Sequence, residues 1–158
     1  MNNKSILSFA FVFFLFSCAT TSTAPALTPA EIQSIQTRQY DEKKEIVFAS
    51  VVSVFQDLGY QIATADLATG IITSQSAAAN DAAYSFWTGV AKNTQTKATA
   101  FVETIGSTTS VRLNLVTSTN ESFGYGKQRK NEVPVIDSQV YQNAFEKVEN
   151  AVFMRSSK

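Results

Sequence analysis

The chemistry open to this chain is bounded by two residue types. Its 158 residues include no histidine and one cysteine, Cys18. Without imidazole there is no side chain poised near neutral pH as general acid or base. The Ser-His and Cys-His arrangements are unavailable, and the commonest metal ligand is missing. The carboxylates Asp41, Asp57, Asp66 and Asp81 fall where helix caps and turns are expected, positions at which a fold spends them on backbone hydrogen bonds. A carboxylate pair of the glycosidase kind stays open at this level, because separation in sequence does not fix separation in space. The expectation is a protein that is not an enzyme and needs no cofactor and no metal.

Two stretches carry side chains suited to contact. Tyr84, Phe86 and Trp87 form the densest aromatic patch outside the N-terminal region. They read either as a short helix or lid over one edge of the core, or as a docking surface for a partner or a foot on lipid. Lys127, Arg129 and Lys130 follow Phe123-Gly124-Tyr125-Gly126 in a basic, glycine-bearing stretch. It has neither a Walker-type lysine with a following Ser or Thr nor a strand-turn-helix setting, so it is not a phosphate loop. It reads as a solvated loop or as a contact for anionic headgroups or an acidic partner. With 13 basic against 13 acidic side chains, the overall balance argues against nucleic acid as a partner and against a bulk electrostatic membrane patch.

Cys18 follows an apolar run over residues 6–16, too short to span a bilayer and fitting the central region of a secretory signal. Leu15-Phe16-Ser17-Cys18 resembles the lipobox of bacterial lipoproteins, with leucine three residues before the cysteine and a small residue just before it. Phe16 departs from the small residue usual at its position. The resemblance implies cleavage before Cys18, which frees an amine and a thiol on one residue. Both can carry acyl chains, and several chains together anchor a protein where one does not. Residues 1–17 are thus expected to be a lipoprotein signal peptide. Their removal leaves 141 of the 158 residues, with 12 basic and 13 acidic side chains. In lipoprotein sorting an aspartate after the cysteine retains a protein at the inner membrane. Ala19 therefore implies a lipid-anchored protein of the outer membrane, its domain facing the periplasm. Residues 18–31 read as the lipidated cysteine and a Thr/Ser/Ala/Pro tether, and residues 32–158 as a single domain.

The elements of that domain are clearest over residues 36–75. A short extended segment ends at Tyr40, and Asp41 is placed to cap a helix. Val47, Val51, Val54, Phe55 and Leu58 recur at helical spacing, with Ser50, Ser53, Gln56 and Asp57 left for the polar face. Gly59 closes the helix. Tyr60, Ile62 and Thr64 alternate as a strand, and Asp66 to Gly70 forms a hairpin connection to a return strand at Ile71. Residues 96–105 and 110–119 read as two further strands joined at Gly106. A final helix after Asp137 carries Val140, Tyr141, Ala144, Phe145, Val148, Ala151 and Val152. The fold expected is α+β: an antiparallel four- to five-stranded sheet packed against two long helices, in the order β-α-β-β-(α)-β-β-α.

Thr37-Arg38-Gln39-Tyr40, Phe55-Gln56-Asp57-Leu58-Gly59-Tyr60, Ala65-Asp66 with Gly70-Ile71-Ile72, and the segment from Tyr141 to Val148 with Val152-Phe153-Met154 resemble a family of small bacterial lipoproteins. The order of these signals is similar to that in BamC-like helix-grip domains, found in an accessory lipoprotein of the outer-membrane β-barrel assembly machine. The resemblance implies a helix-grip-like fold. Cys18, the tether and the missing catalytic residues lead to the expectation of an envelope protein partner. The leading expectation is a lipid-anchored structural or protein-interaction module, an accessory of an envelope assembly or transport complex. The alternative is a periplasmic module for a lipid or other apolar ligand, which requires an apolar cavity lined by residues such as Phe55, Phe101 and Phe145.

Overall fold

Alternation along two long strands organises the molecule. A computed structural model describes residues 27–80, 88, 90–123 and 126–157. Strands β5 (Ala91–Ile105) and β6 (Thr108–Ser122) pair antiparallel along their whole length around the tight turn at Gly106 and Ser107. Ala98, Ala100 and Val102 on β5 and Val111, Leu113 and Leu115 on β6 point to one face and are buried. Thr99, Phe101, Arg112 and Asn114 point to the other and are exposed. This is the period-2 signature of a sheet covered on one side.

Strands β1 (Thr37–Tyr40), β2 (Tyr60–Asp66) and β3 (Ile71–Ser76) complete a path β1-β6-β5-β3-β2. Two further strands lie off this path, β4 (Ala79–Asn80) beside β5 and β7 (Gln128–Pro134) beside β6. Among the described residues the sheet therefore has seven antiparallel strands, which corrects the expected four to five. β4 is only two residues long, too short for an alternating pattern to show in sequence. β7 covers Arg129 and Lys130, where the sequence reads as a solvated loop. Every residue of β7 is exposed, so it leaves no hydrophobic alternation to recognise.

Helix α1 (Pro29–Gln36) opens with a capping box. Thr28 Oγ1 accepts from the Glu31 amide at 3.3 Å, and the Glu31 carboxylate accepts from the Thr28 amide at 2.7 Å. Its first residues fall within the stretch read as tether. Helix α2 spans Lys44–Asp57 and helix α3 Ser138–Ser156. The α2 N-cap is Lys43, without a side-chain cap bond, and not Asp41. At α3, Asp137 is the N-cap and accepts from the Gln139 amide at 2.9 Å.

Helices α2 and α3 pack on each other over the buried sheet face. Val47, Phe48, Val51, Val54 and Phe55 of α2 join Tyr141, Phe145, Val148 and Val152 of α3 in one core with the inward sheet residues. Each large side chain fully buried there contributes about 1.5–3 kcal/mol. The small Ala98 and Ala100 on β5 leave room for α2 to lie close against that strand. Ser50, assigned by spacing to the polar face of α2, is completely buried; its hydroxyl donates to the Ile46 carbonyl at 2.8 Å. The reason is that α3 covers a second face of α2, so the buried stripe is wider than sheet contact alone requires.

One gap in the sheet is closed by a side chain. β1 pairs with residues 109–112 of β6 and β7 with residues 116–122, on the same side. Between them the Leu115 amide donates to the Tyr141 hydroxyl at 3.2 Å, and the Leu115 carbonyl accepts from the Val135 amide at 2.9 Å. The Tyr141 hydroxyl also accepts from Gln36 Nε2 at 3.2 Å and donates to the Val135 carbonyl at 2.9 Å. One buried oxygen thus joins the end of α1, the middle of β6 and the approach to α3, and all of its hydrogen-bonding capacity is used.

Candidate functional site

Gly59, at φ +81°, stops α2 and turns the chain directly into β2 at Tyr60. This places Phe55 against Tyr60, ring centroids 5.9 Å apart, and leaves Leu58 at the surface. Across from them, Val140, Ala144 and Lys147 form a stripe on α3 at spacings of four and three. Between these walls, over Leu113 and Leu115, lies a groove of about 420 Å³, completed by Asn143. Burial pushes the Tyr60 hydroxyl above its ordinary pKa, partly countered by a hydrogen bond with Thr96. The Asn143 Oδ1 accepts from Gln139 Nε2 at 3.0 Å. Lys147 has no ion pair among the described residues. A lining of this kind suits an apolar guest or side chain held by area, with polar groups only along the rim.

An apolar cavity lined by Phe55, Phe101 and Phe145 needs correction in two of its three members. Phe55 does line the groove. Phe145 is 2 % exposed and packed in the core, with the Arg38 guanidinium 5.4 Å from its ring centre. Phe101 is 39 % exposed on the opposite face of the sheet, beside Ile71. It sits between the inward-facing Ala100 and Val102, so strand alternation sends it outward. Leu58, Val140 and Ala144 were legible as members of apolar stripes. What marks them as groove residues is that the α3 stripe is two side chains wide, more than one sheet contact fills.

The basic residues lie elsewhere. Residues 91–97 of β5, 116–122 of β6, β4 and β7 form an end of the sheet that extends roughly 20 Å past the core. On one face Lys97 and Lys130 both reach Glu132, at 2.9 and 2.8 Å. Those hydrogen bonds and charges, Lys130 first, hold the Glu132 carboxyl down at about 2. On the other face Lys92, Glu121 and Arg129 lie side by side across three strands. They border an open polar hollow of about 580 Å³ with Thr119, Lys130 and Asn131. Arg129 and Lys130 therefore alternate across one strand, with Lys127 at its entrance, and do not form a single cluster. Tyr84, Phe86 and Trp87, like Cys18, lie outside the described residues. The residues that flank the aromatic stretch do fall at this end of the sheet. Asn80 pairs with Asn93, Ala91 with Ser122 and Ser122 with Gln128.

Three of the acidic residues, Glu31, Asp66 and Asp137, accept hydrogen bonds from backbone amides. Asp66 accepts from the Ala68 amide at 3.0 Å and from the Thr69 hydroxyl at 2.8 Å, stabilising the β2–β3 turn and lowering its own pKa. Glu31 is lowered in the same way by Thr28. Among the described residues no three Asp, Glu, His or Cys side chains gather where they could hold a metal ion, and no helix is long and apolar enough to cross a membrane. The chain matches no model of a known protein family and no curated protein.

Proposed function

We propose that this chain is a lipid-anchored envelope lipoprotein without catalytic activity, a binding module held to the outer membrane through Cys18 and facing the periplasm. Its work is to hold a protein partner, as an accessory of an envelope assembly or transport complex. The observation that carries the binding role is the groove over Leu113 and Leu115, with Phe55 and Tyr60 on one wall and Val140 and Ala144 on the other. The address is carried by the sequence alone: the apolar leader, Leu15-Phe16-Ser17-Cys18 and Ala19. The absence of histidine and the backbone duties of Asp66, Glu31 and Asp137 support a role without catalysis. The same reading takes the domain as helix-grip-like; its support is that α2 and α3 pack together on one face of an antiparallel sheet.

Site-specific photocrosslinking in cells tests this reading. A photoreactive residue at Val140 or Leu58 is expected to give a discrete protein adduct, and one at Phe101, on the far face, is not. Adducts from both faces, or from neither, count against it. The size and mostly apolar lining of the groove favour one second reading, that it holds a lipid or other apolar ligand. That reading expects a co-purifying apolar molecule in the organic extract of the native protein, displaced when Ala144 is changed to Phe.

A further inference from the structure

Charge is divided unevenly between the two parts of the molecule. Among the described residues, the sheet end formed by residues 91–97 of β5, 116–122 of β6, β4 and β7 with Lys127 carries five basic side chains, Lys92, Lys97, Lys127, Arg129 and Lys130, against two acidic ones, Glu121 and Glu132, a net of +3. The rest of the described chain carries six basic against ten acidic, a net of −4. Asp81, outside the described residues, lowers the excess at the sheet end by at most one. The overall balance therefore conceals a molecule with a basic end and an acidic body. Glu132 is already held by Lys97 and Lys130, and Glu121 lies between Lys92 and Arg129, so neither carboxylate is left to cancel Lys127. Lys127 and Arg129 have no ion pair among the described residues. Every residue of β7 is exposed.

We infer that the basic end of the sheet rests on the anionic phospholipid headgroups of the membrane that holds the anchor. The inference builds on the lipid-anchored reading. From Cys18 to the first residue of α1 there are eleven residues, which span at most about 40 Å. An anchored domain thus stays close to the lipid surface, where a weak electrostatic contact becomes effectively intramolecular. Opposite net charges at its two ends then orient it, basic end down and acidic body away. An acidic protein would meet the same residues, but the tether supplies lipid at a far higher local concentration. In this orientation the groove, set back toward the helices, stays open to the periplasm.

The test uses the native, lipid-modified full chain reconstituted into vesicles of phosphatidylcholine alone or mixed with phosphatidylglycerol. Amide hydrogen exchange is read along residues 126–133. In the phosphatidylglycerol vesicles the exposed edge of β7 is expected to exchange at least ~10-fold more slowly. The protection should disappear at high salt and in the triple variant Lys127→Gln, Arg129→Gln, Lys130→Gln. Each cation near an anionic surface contributes enough for their joint loss to weaken contact by about 100-fold. Changing Lys43 and Lys44, at the other end, to Gln should leave the protection in place. Unchanged exchange in α2 establishes that each variant is folded. Equal exchange of β7 in the two kinds of vesicle overturns the inference, including the case in which an acidic protein is the true partner. Flotation of the same samples separates it from the anchor. A chain that fails to float with pure phosphatidylcholine lacks the anchor; if it still floats with phosphatidylglycerol the basic end is supported, and if it floats with neither the inference falls too.

Discussion

Tyr141 and Tyr40 are both buried, but their hydroxyls have different fates. The Tyr141 oxygen makes three hydrogen bonds, to Gln36, Leu115 and Val135. The Tyr40 oxygen is buried with no partner among the described residues, and burial pushes its pKa up, against the lowering effect of Arg38. Tyr141→Phe strands a buried amide and a carbonyl and is expected to destabilise the fold by about 2 kcal/mol. Tyr40→Phe removes an unsatisfied group and is expected to be neutral or stabilising by up to ~1 kcal/mol. Urea denaturation of the two variants checks the contrast; equal losses would contradict it. Glu132 gives a second residue-scale prediction. Its carboxyl pKa, about 2 in the folded chain, lies below the ordinary value of about 4.3. Whatever stability it adds is present in full above the ordinary value and is lost as pH falls through the folded one. Carboxyl NMR should find its midpoint near 2 and rising toward the ordinary range in Lys130→Met. A midpoint in the ordinary range in the unaltered protein would refute the pairing. Spacing in the sequence shows Tyr141 as a core residue. That its hydroxyl closes a gap in the sheet is not legible, because the gap exists only once β1 and β7 line up along β6.

At the scale of elements, the β2–β3 hairpin shows how far local signals reach. Asp66 and Gly70 mark the turn in sequence, and the structure uses both. Gly70 has φ +78°, its carbonyl accepts from the Val102 amide at 2.8 Å, and a Cβ there would lie 2.0 Å from the Val102 carbonyl oxygen. Gly59 has a similar φ with open space around it. Gly59→Ala is therefore expected to cost about 1–2 kcal/mol, the backbone term alone. Gly70→Ala should cost at least ~2 kcal/mol more or prevent folding, because a strand contact must break. Thermal unfolding separates the two, and equal costs would show that β3 and β5 approach less closely than described. The helix from Lys44, the hairpin at Gly70 and the final helix were readable because apolar periodicity and turn residues agree there. β7 was not readable, since its polar residues are held by pairing with β6 alone. Alternation separates Phe101 from Ala100 and Val102 without saying which set faces the helices, so Phe101 was expected in the cavity, and the placement of Phe55 opposite Ala144 depends on two helices meeting over a sheet.

At the scale of the whole molecule, the described residues join an apolar groove and a basic sheet end, and the proposal adds a tether leading back to Cys18. The α+β class and a helix-covered antiparallel sheet were legible in the chain. The groove was not, because its walls come from residues more than eighty positions apart, Phe55 and Leu58 against Val140 and Ala144. The charge division was hidden by the zero overall net and emerges only when β5, β6 and β7 collect their cations at one end. All of this acquires a purpose if the domain is anchored, and Cys18 decides that. Intact-mass analysis of the protein purified from its native membranes is the most direct measurement. The account predicts a chain lacking residues 1–17 and carrying acyl groups on Cys18, converted to an unprocessed, unlipidated form by Cys18→Ala. A native chain that retains its leader, or begins at an unmodified Cys18, would contradict it.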